Sequence, residues 1–271
     1  MPRPASTSPG PAYLLGSSAG ERQRLLAQGD LLRDVARQLL DRLPLADQAR
    51  AIDVGCGPLG VLDLLSDKVG PSGTVVGLDN DERMITWARE SIAALDLVNV
   101  TTALGSLPCD AEPLFDLTHC RLVLINSAGP EAIVASMVAA TRTGGWIAVQ
   151  EFDWTTWQCE PPHPAWDRLK FLLASVFGGD VHIGARLPDL LREAGCREIQ
   201  TMAYAFSWRP GDLYQTLLLY FADLFAERIR ARGINPRTLT GLTQELGRHL
   251  AHPATVVRES LLVQAWGRKA R

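Results

Sequence analysis

The densest run of residues suited to ligand chemistry is Ile52-Asp53-Val54-Gly55-Cys56-Gly57-Pro58-Leu59-Gly60. Glycines at 55 and 57 let a backbone turn tightly and approach a ligand where a Cβ would intrude. A helix opening just after them would aim free N–H groups and a positive dipole end at that ligand. Gly55, Gly57 and Gly60 also spell G-x-G-x-x-G, the spacing of dinucleotide loops, so the glycines alone leave the ligand open. Asp53 narrows it. A carboxylate just ahead of the first glycine would repel a pyrophosphate and attract the cationic end of an amino acid. A second carboxylate, Asp79, follows Thr74-Val75-Val76-Gly77-Leu78. An acid at that distance can accept hydrogen bonds from both ribose hydroxyls, which NAD and S-adenosylmethionine (SAM) sites have in common.

Residues for the reaction itself are fewer. Glu151 closes a later β-rich run, at the edge where open α/β sheets hold ligands, and Asp153 should share its face. His182 stands near Gly178-Gly179, in what reads as a mobile loop. Glu151 and His182 are therefore the candidate catalytic residues, while His119, inside a strand, reads as a satisfied buried imidazole. Trp154, Trp157 and Trp166 cluster after that run, and Tyr214, Leu217, Leu218, Phe221 and Phe225 form a helical stripe. Such a stripe is first of all core packing; any part facing a cleft would favour an apolar or aromatic ligand. Cys56, Cys109, Cys120, Cys159 and Cys196 never form C-x-x-C, which fits reduced thiols and predicts neither disulfide nor metal site.

The elements that must position these groups alternate short β-rich runs with helical patterns, the signature of an α/β fold with a mostly parallel sheet. Strands are predicted at 50–54, 74–78, 98–104, 115–120, 146–152, 198–207 and 260–266. A helix over Glu21–Leu43 precedes them, with apolar residues at helical spacing up to Pro44. The Pro-, Ser- and Gly-rich stretch Met1–Ala12 reads as a disordered lead-in and not as a signal peptide. The expected organisation is a lead-in and lid helix over 1–45, a core over 46–209, a helical cap over 210–257 and a closing strand in 258–271. Caps over the carboxyl ends of strands shape substrate pockets.

Taken together these segments resemble the class I SAM-dependent methyltransferases. The resemblance rests on Asp53-Val54-Gly55-Cys56-Gly57, Gly77-Leu78-Asp79, Phe115–Leu124 and Thr143-Gly144-Gly145-Trp146, in order and spacing, and on the closing Val263–Lys269 and early Tyr13–Leu25 stretches. It covers nearly the whole chain except the cap and is nearest to the quinone-biosynthesis and bacterial natural-product branch. The third glycine stands at 60 where the family has one at 59; Ser106 replaces a usual Asp, and Thr143 a usual Pro. The resemblance implies a Rossmann-like fold with a seven-stranded sheet and helices on both faces. It implies that Asp53, Gly55, Cys56 and Gly57 hold the methionine part of SAM and Asp79 the ribose. Asn80 and Met84 would flank the adenosine, Ser106 and Leu107 would contact adenine, and the Cys120 backbone would meet the SAM amino group.

The expected function is methyl transfer from SAM to O, N or C of a small hydrophobic or aromatic metabolite in specialised biosynthesis. Transfer from a sulfonium is an in-line displacement that positioning can largely accelerate, and a base is needed only where the acceptor loses a proton. The alternative is a SAM-binding enzyme of the same fold that catalyses cyclisation, rearrangement or elimination. A non-catalytic SAM-sensing subunit and an NAD-dependent oxidoreductase are further readings, the latter opposed by Asp53. The net charge of −3 provides no basic footprint for nucleic acid or an anionic membrane. The apolar run Leu213–Phe225 is too short to span a bilayer. The expected partner is a small-molecule acceptor, with no nucleic acid and no membrane, in the cytoplasm; a homodimer is left open.

Overall fold

Two helices, α1 (Ala19–Leu31) and α2 (Arg33–Asp41), open the computed structural model, which describes residues 19–108 and 114–270. The predicted lead-in, the Tyr13–Gly16 stretch and Cys109 lie outside the described residues. The single helix expected over 21–43 is thus broken, at Leu32 (φ −93°, ψ 4°). Gly29 weakens the helix just before the break. The bend lets α1 turn Arg24, Leu25 and Gln28 to the strand ends, while α2 buries Ala36, Leu39 and Leu40.

The core then alternates as expected. It runs β1 (Arg50–Val54), α3 (Leu62–Val69), β2 (Thr74–Asp79), α4 (Glu82–Ala94), β3 (Val100–Leu104), β4 (Phe115–Arg121), α5 (Pro130–Ala140) and β5 (Thr141–Asp153). After a short strand β6 (Gln158–Glu160) come α6 (Pro164–Val176), α7 (Ile183–Glu193) and β7 (Cys196–Tyr204). The chain continues through β8 (Ser207–Trp208), α8 (Leu217–Leu224), α9 (Ala226–Ala231), α10 (Pro236–Leu250) and β9 (Val256–Arg258). It closes on β10 (Leu261–Lys269).

The main sheet has seven strands in the order β3-β2-β1-β4-β5-β10-β7. β10 is antiparallel to both neighbours, and the pairs from β3 to β5 are parallel. This is the Rossmann-like class I arrangement. Its order reverses at β1 and β4, where open α/β sheets form a crevice beyond their carboxyl ends. Alternation along β1 shows how both faces are covered: Ala51 joins one apolar cluster, Ile52 and Val54 the other. β4, buried from Phe115 to Cys120, sits between these layers.

The stretch expected as a helical cap over 210–257 runs at its end into a strand, β9. β9 pairs with β6 and β8 in a second, antiparallel sheet of three strands. The run predicted as one strand over 198–207 is split, because Ser207 and Trp208 leave the main sheet to pair with Val257 and Arg258. Strand β5 runs past Glu151 to Asp153.

Candidate active site

The carboxyl ends of β1, β2, β4 and β5 open into a cavity of about 400 Å³, roofed by α1 and α8. Of the sequence-predicted site residues, Asp53, Gly55, Cys56, Gly57, Asp79, Asn80 and Met84 meet in its wall. Gly57 adopts φ 55° and nothing lies within 4 Å of where a Cβ would stand, so bare backbone faces the cavity. Gly60, also at φ 55°, packs so closely over Asp53 that a Cβ would overlap the carboxylate and lie 2.6 Å from the Cys56 carbonyl oxygen. The glycine displaced to position 60 is therefore required there.

Asp79 ties β2 to this loop. Its Oδ2 accepts the Gly57 N–H at 2.9 Å and its Oδ1 that of Asp81 at 3.0 Å. Each oxygen keeps a lone pair for a ligand hydroxyl. Burial raises the Asp79 pKa above the ordinary carboxylate value, against the pull of those N–H groups.

Asp53 is held from behind. Its Oδ1 lies 2.7 Å from His119 Nδ1, and His119 Nε2 lies 2.7 Å from Gln150 Nε2. An amide nitrogen can only donate, so the ring accepts at Nε2 and donates from Nδ1 to Asp53. Gln150 Oε1 in turn accepts from Gln264 Nε2 at 2.9 Å, and that nitrogen also donates to the Val35 carbonyl. His119 is thus fully engaged and not a base. Burial also drives the thiols of Cys56 and Cys120 far above the ordinary range, so neither is a thiolate nucleophile.

Ser106, Leu107, Cys120, Glu151 and His182 stand outside the cavity wall. Gly105 (φ 141°) turns the chain beyond β3 and leaves Ser106 exposed. Cys120 packs inside the sheet between Val54 and Val149, and the wall begins with the next residue, Arg121. Glu151, fully buried, accepts the N–H groups of Val123 (2.8 Å), Leu124 (2.7 Å) and Ile125 (3.3 Å). Burial pushes its pKa up to about 8 while those donors oppose the shift. It braces the turn after β4, where Leu122 is held at φ 58°, a strained conformation for a branched side chain. The side chain of His182, just over half exposed, lies at the start of α7 with Nδ1 3.3 Å from Asp153 and 3.1 Å from Thr155 Oγ1.

Three charged wall residues, Glu259, Arg121 and Arg24, were not singled out from the sequence. Glu259, 4% exposed, accepts from Trp208 Nε1 at 3.1 Å and from the Ser260 N–H and Oγ at 2.9 and 2.7 Å. Burial raises its pKa. Arg121 donates through Nη2 to the Gly60 carbonyl at 2.9 Å. A guanidinium closing an otherwise buried strand, and an acid just ahead of the last strand, were the available signals.

The far wall is aromatic. Trp154 stacks on Phe221 at 6.3 Å and packs against Trp157 and Phe177 at 5.0 Å each. Phe221 and Leu217, from the predicted stripe, line the cavity with them, whereas Leu218 and Phe225 fill the core beneath. Trp157 Nε1 and Asn126 Oδ1 are buried in the wall without partners.

A methyltransferase-domain family model matches residues 45–195. The chain belongs to that family. Its fold and motifs are those of the class I SAM-dependent methyltransferases, and the residues around Gly57 and Asp79 fit that cofactor through bare backbone and free carboxylate lone pairs. Over 117 residues it is 36% identical to trans-aconitate 2-methyltransferase of Variovorax paradoxus, covering 42% of this chain and 43% of the relative. Over 122 residues it is 38% identical to nocamycin O-methyltransferase of Saccharothrix syringae, covering 44% of each. The matches thus span less than half of these relatives. Phosphoethanolamine N-methyltransferase 2 of Haemonchus contortus, solved with phosphomonomethylethanolamine and S-adenosylhomocysteine, shares the fold at TM-score 0.52 and 15% identity. That match covers 84% of this chain and 51% of the other. Among the described residues no helix is long and apolar enough to cross a membrane, and no cluster of ligating side chains could hold a metal ion.

Proposed function

We propose that this methyltransferase transfers the SAM methyl group to O, N or C of a small, largely apolar metabolite, with oxygen favoured. One observation carries the reading: a single cavity joins the Gly57–Asp79 end to the Trp154–Phe221 wall, with Glu259 beside it. The names of the trans-aconitate and nocamycin relatives support a small-molecule acceptor, and the second supports oxygen and a specialised metabolite. When bound, the cofactor supplies a methyl group activated by its sulfonium. The chain supplies position. In this reading Asp79 takes the ribose, Asn80 and Met84 flank the adenosine, and Asp53 and the loop from Gly55 to Gly57 hold the methionine end. Helix α8 closes over the acceptor through Leu217 and Phe221. Glu259 replaces Glu151 and His182 as the group that receives an acceptor proton, because it is the buried wall carboxylate that this reading does not already give to the cofactor.

The test incubates the purified protein with methyl-labelled SAM and a panel of aromatic hydroxy compounds, aromatic acids, amines and trans-aconitate. Label in a product, with S-adenosylhomocysteine formed in equal amount, is the expected result. Consumption of a panel compound with the label still on SAM would replace methyl transfer by a non-methylating reaction.

A further inference from the structure

Five charged residues stand in the cavity wall: Arg24, Asp53, Asp79, Arg121 and Glu259. Arg24 is gripped by both oxygens of Glu21. Arg121 turns Nη2 to the Gly60 carbonyl, while its Nη1 is shut away from solvent without a partner. Asp53 is held by His119, and Asp79 by backbone N–H groups at the cofactor end. Glu259 stands apart from these, just ahead of β10. The first residue of that strand, Leu261, pairs with Asp153 and donates its N–H to Thr156 Oγ1, which sets Glu259 beside the turn that carries Trp154.

The partners of Glu259 are all neutral. Oε1 accepts both the N–H and the hydroxyl of Ser260, and Oε2 accepts Trp208 Nε1. Two donors fill the lone pairs of Oε1; one donor leaves Oε2 a lone pair. Among the described residues no lysine, arginine or histidine makes an ion pair with it. Arg24 acts on the same Tyr214 hydroxyl as Glu259 does, yet its charge is already matched by Glu21. A buried carboxylate met only by neutral donors is an uncompensated negative charge, and burial raises its pKa for that reason. The wall beside it is aromatic, with Trp154, Phe177 and Phe221. Aromatic rings attract alkylammonium ions, and a carboxylate completes the match in charge. An anionic ligand would meet Glu259 as a like charge.

We propose that Glu259 and the aromatic wall form an ammonium-binding site, so that the methyl acceptor carries a basic amine on its apolar or aromatic body. The inference rests on reading this end of the cavity as the acceptor end. It concerns how the acceptor is held and not which of its atoms takes the methyl group.

Calorimetric titration of the protein saturated with S-adenosylhomocysteine tests this. The probes are phenethylamine, phenethyl alcohol and hydrocinnamate, which share an aromatic body and differ in charge. The amine is expected to bind roughly 10- to 100-fold more tightly than the alcohol, and the acid more weakly than either. Glu259→Gln should remove the advantage of the amine and leave the alcohol unchanged. A wild-type pH series is the second measurement, should the variant not fold. As pH falls Glu259 takes up a proton while the amine stays charged, so the advantage of the amine should fade toward acid. An amine bound no more tightly than the alcohol, or not bound at all, overturns the proposal. So does an advantage that survives Glu259→Gln or persists unchanged into the acid range. Labelled product without any amine preference defeats this inference and leaves the proposed methyl transfer standing. Amine preference without any labelled product does the reverse.

Discussion

Asp79, half-buried, and Glu259, buried, are both carboxylates with raised pKa values, yet they face different demands. Asp79 must be charged to accept ribose hydroxyls. As pH falls through its raised pKa the carboxyl becomes a donor, so affinity for S-adenosylhomocysteine should weaken at a higher pH than an ordinary Asp would dictate. Calorimetry over a pH series reads this, and Asp79→Asn should bind weakly and lose that pH dependence. Glu259 should not touch the cofactor. Glu259→Gln is expected to keep S-adenosylhomocysteine affinity while turnover of an acceptor that must lose a proton falls roughly 10²- to 10⁴-fold. Equal loss of binding and turnover would remove Glu259 from the acceptor side.

The elements that matter most are two turns. In the loop after β1, Gly60 combines a left-handed backbone with contact against Asp53 and Cys56. Gly60→Ala must move that loop, so S-adenosylhomocysteine binding should fall sharply in a protein with a normal far-UV spectrum. The turn after β4 depends on Glu151, whose Oε1 receives the N–H groups of Val123 and Leu124 and whose Oε2 that of Ile125. Glutamine has one acceptor oxygen and would set an amide N–H against a backbone N–H. Glu151→Gln should therefore cost about 1–3 kcal/mol, read as a lower urea midpoint with an unchanged slope. An unaltered midpoint would show that this turn does not need its carboxylate.

Across the whole molecule the buried polar chain Asp53–His119–Gln150–Gln264–Val35 links β1, β4, β5, β10 and α2 through the middle of the sheet. Its members are buried, so each bond left unmade is a desolvated polar group without a partner. Gln264→Leu strands the Gln150 oxygen and removes the second bond to the Val35 carbonyl, and is expected to destabilise the fold by roughly 1–3 kcal/mol. Because the chain ends on Asp53, the same variant should also weaken S-adenosylhomocysteine binding, measured beside the unfolding midpoint. Destabilisation without any change in binding would confine the chain to a structural role.

The alternating apolar runs and the Asp53–Gly57 and Asp79 spacing determined the sheet and the cofactor end of the cavity, because strand order, glycine turns and strand-end carboxylates are local properties written over a few residues. Asn80, just after β2, and Met84, in the first turns of α4, stand in the same wall. What only the tertiary structure decided is which way a side chain faces once distant segments meet. Glu151 has the right position on β5 but is captured by the turn after β4. Glu259, one residue beyond β9, is brought into the wall by a second sheet that joins strands about a hundred residues apart. Leu217 and Phe221 separate from Leu218 and Phe225 on one helical stripe only because a cavity opens beside part of it. Arg121 was visible as a charge but not as an unpaired one, since the partners it lacks could be counted only after every neighbouring acid had found another cation or imidazole.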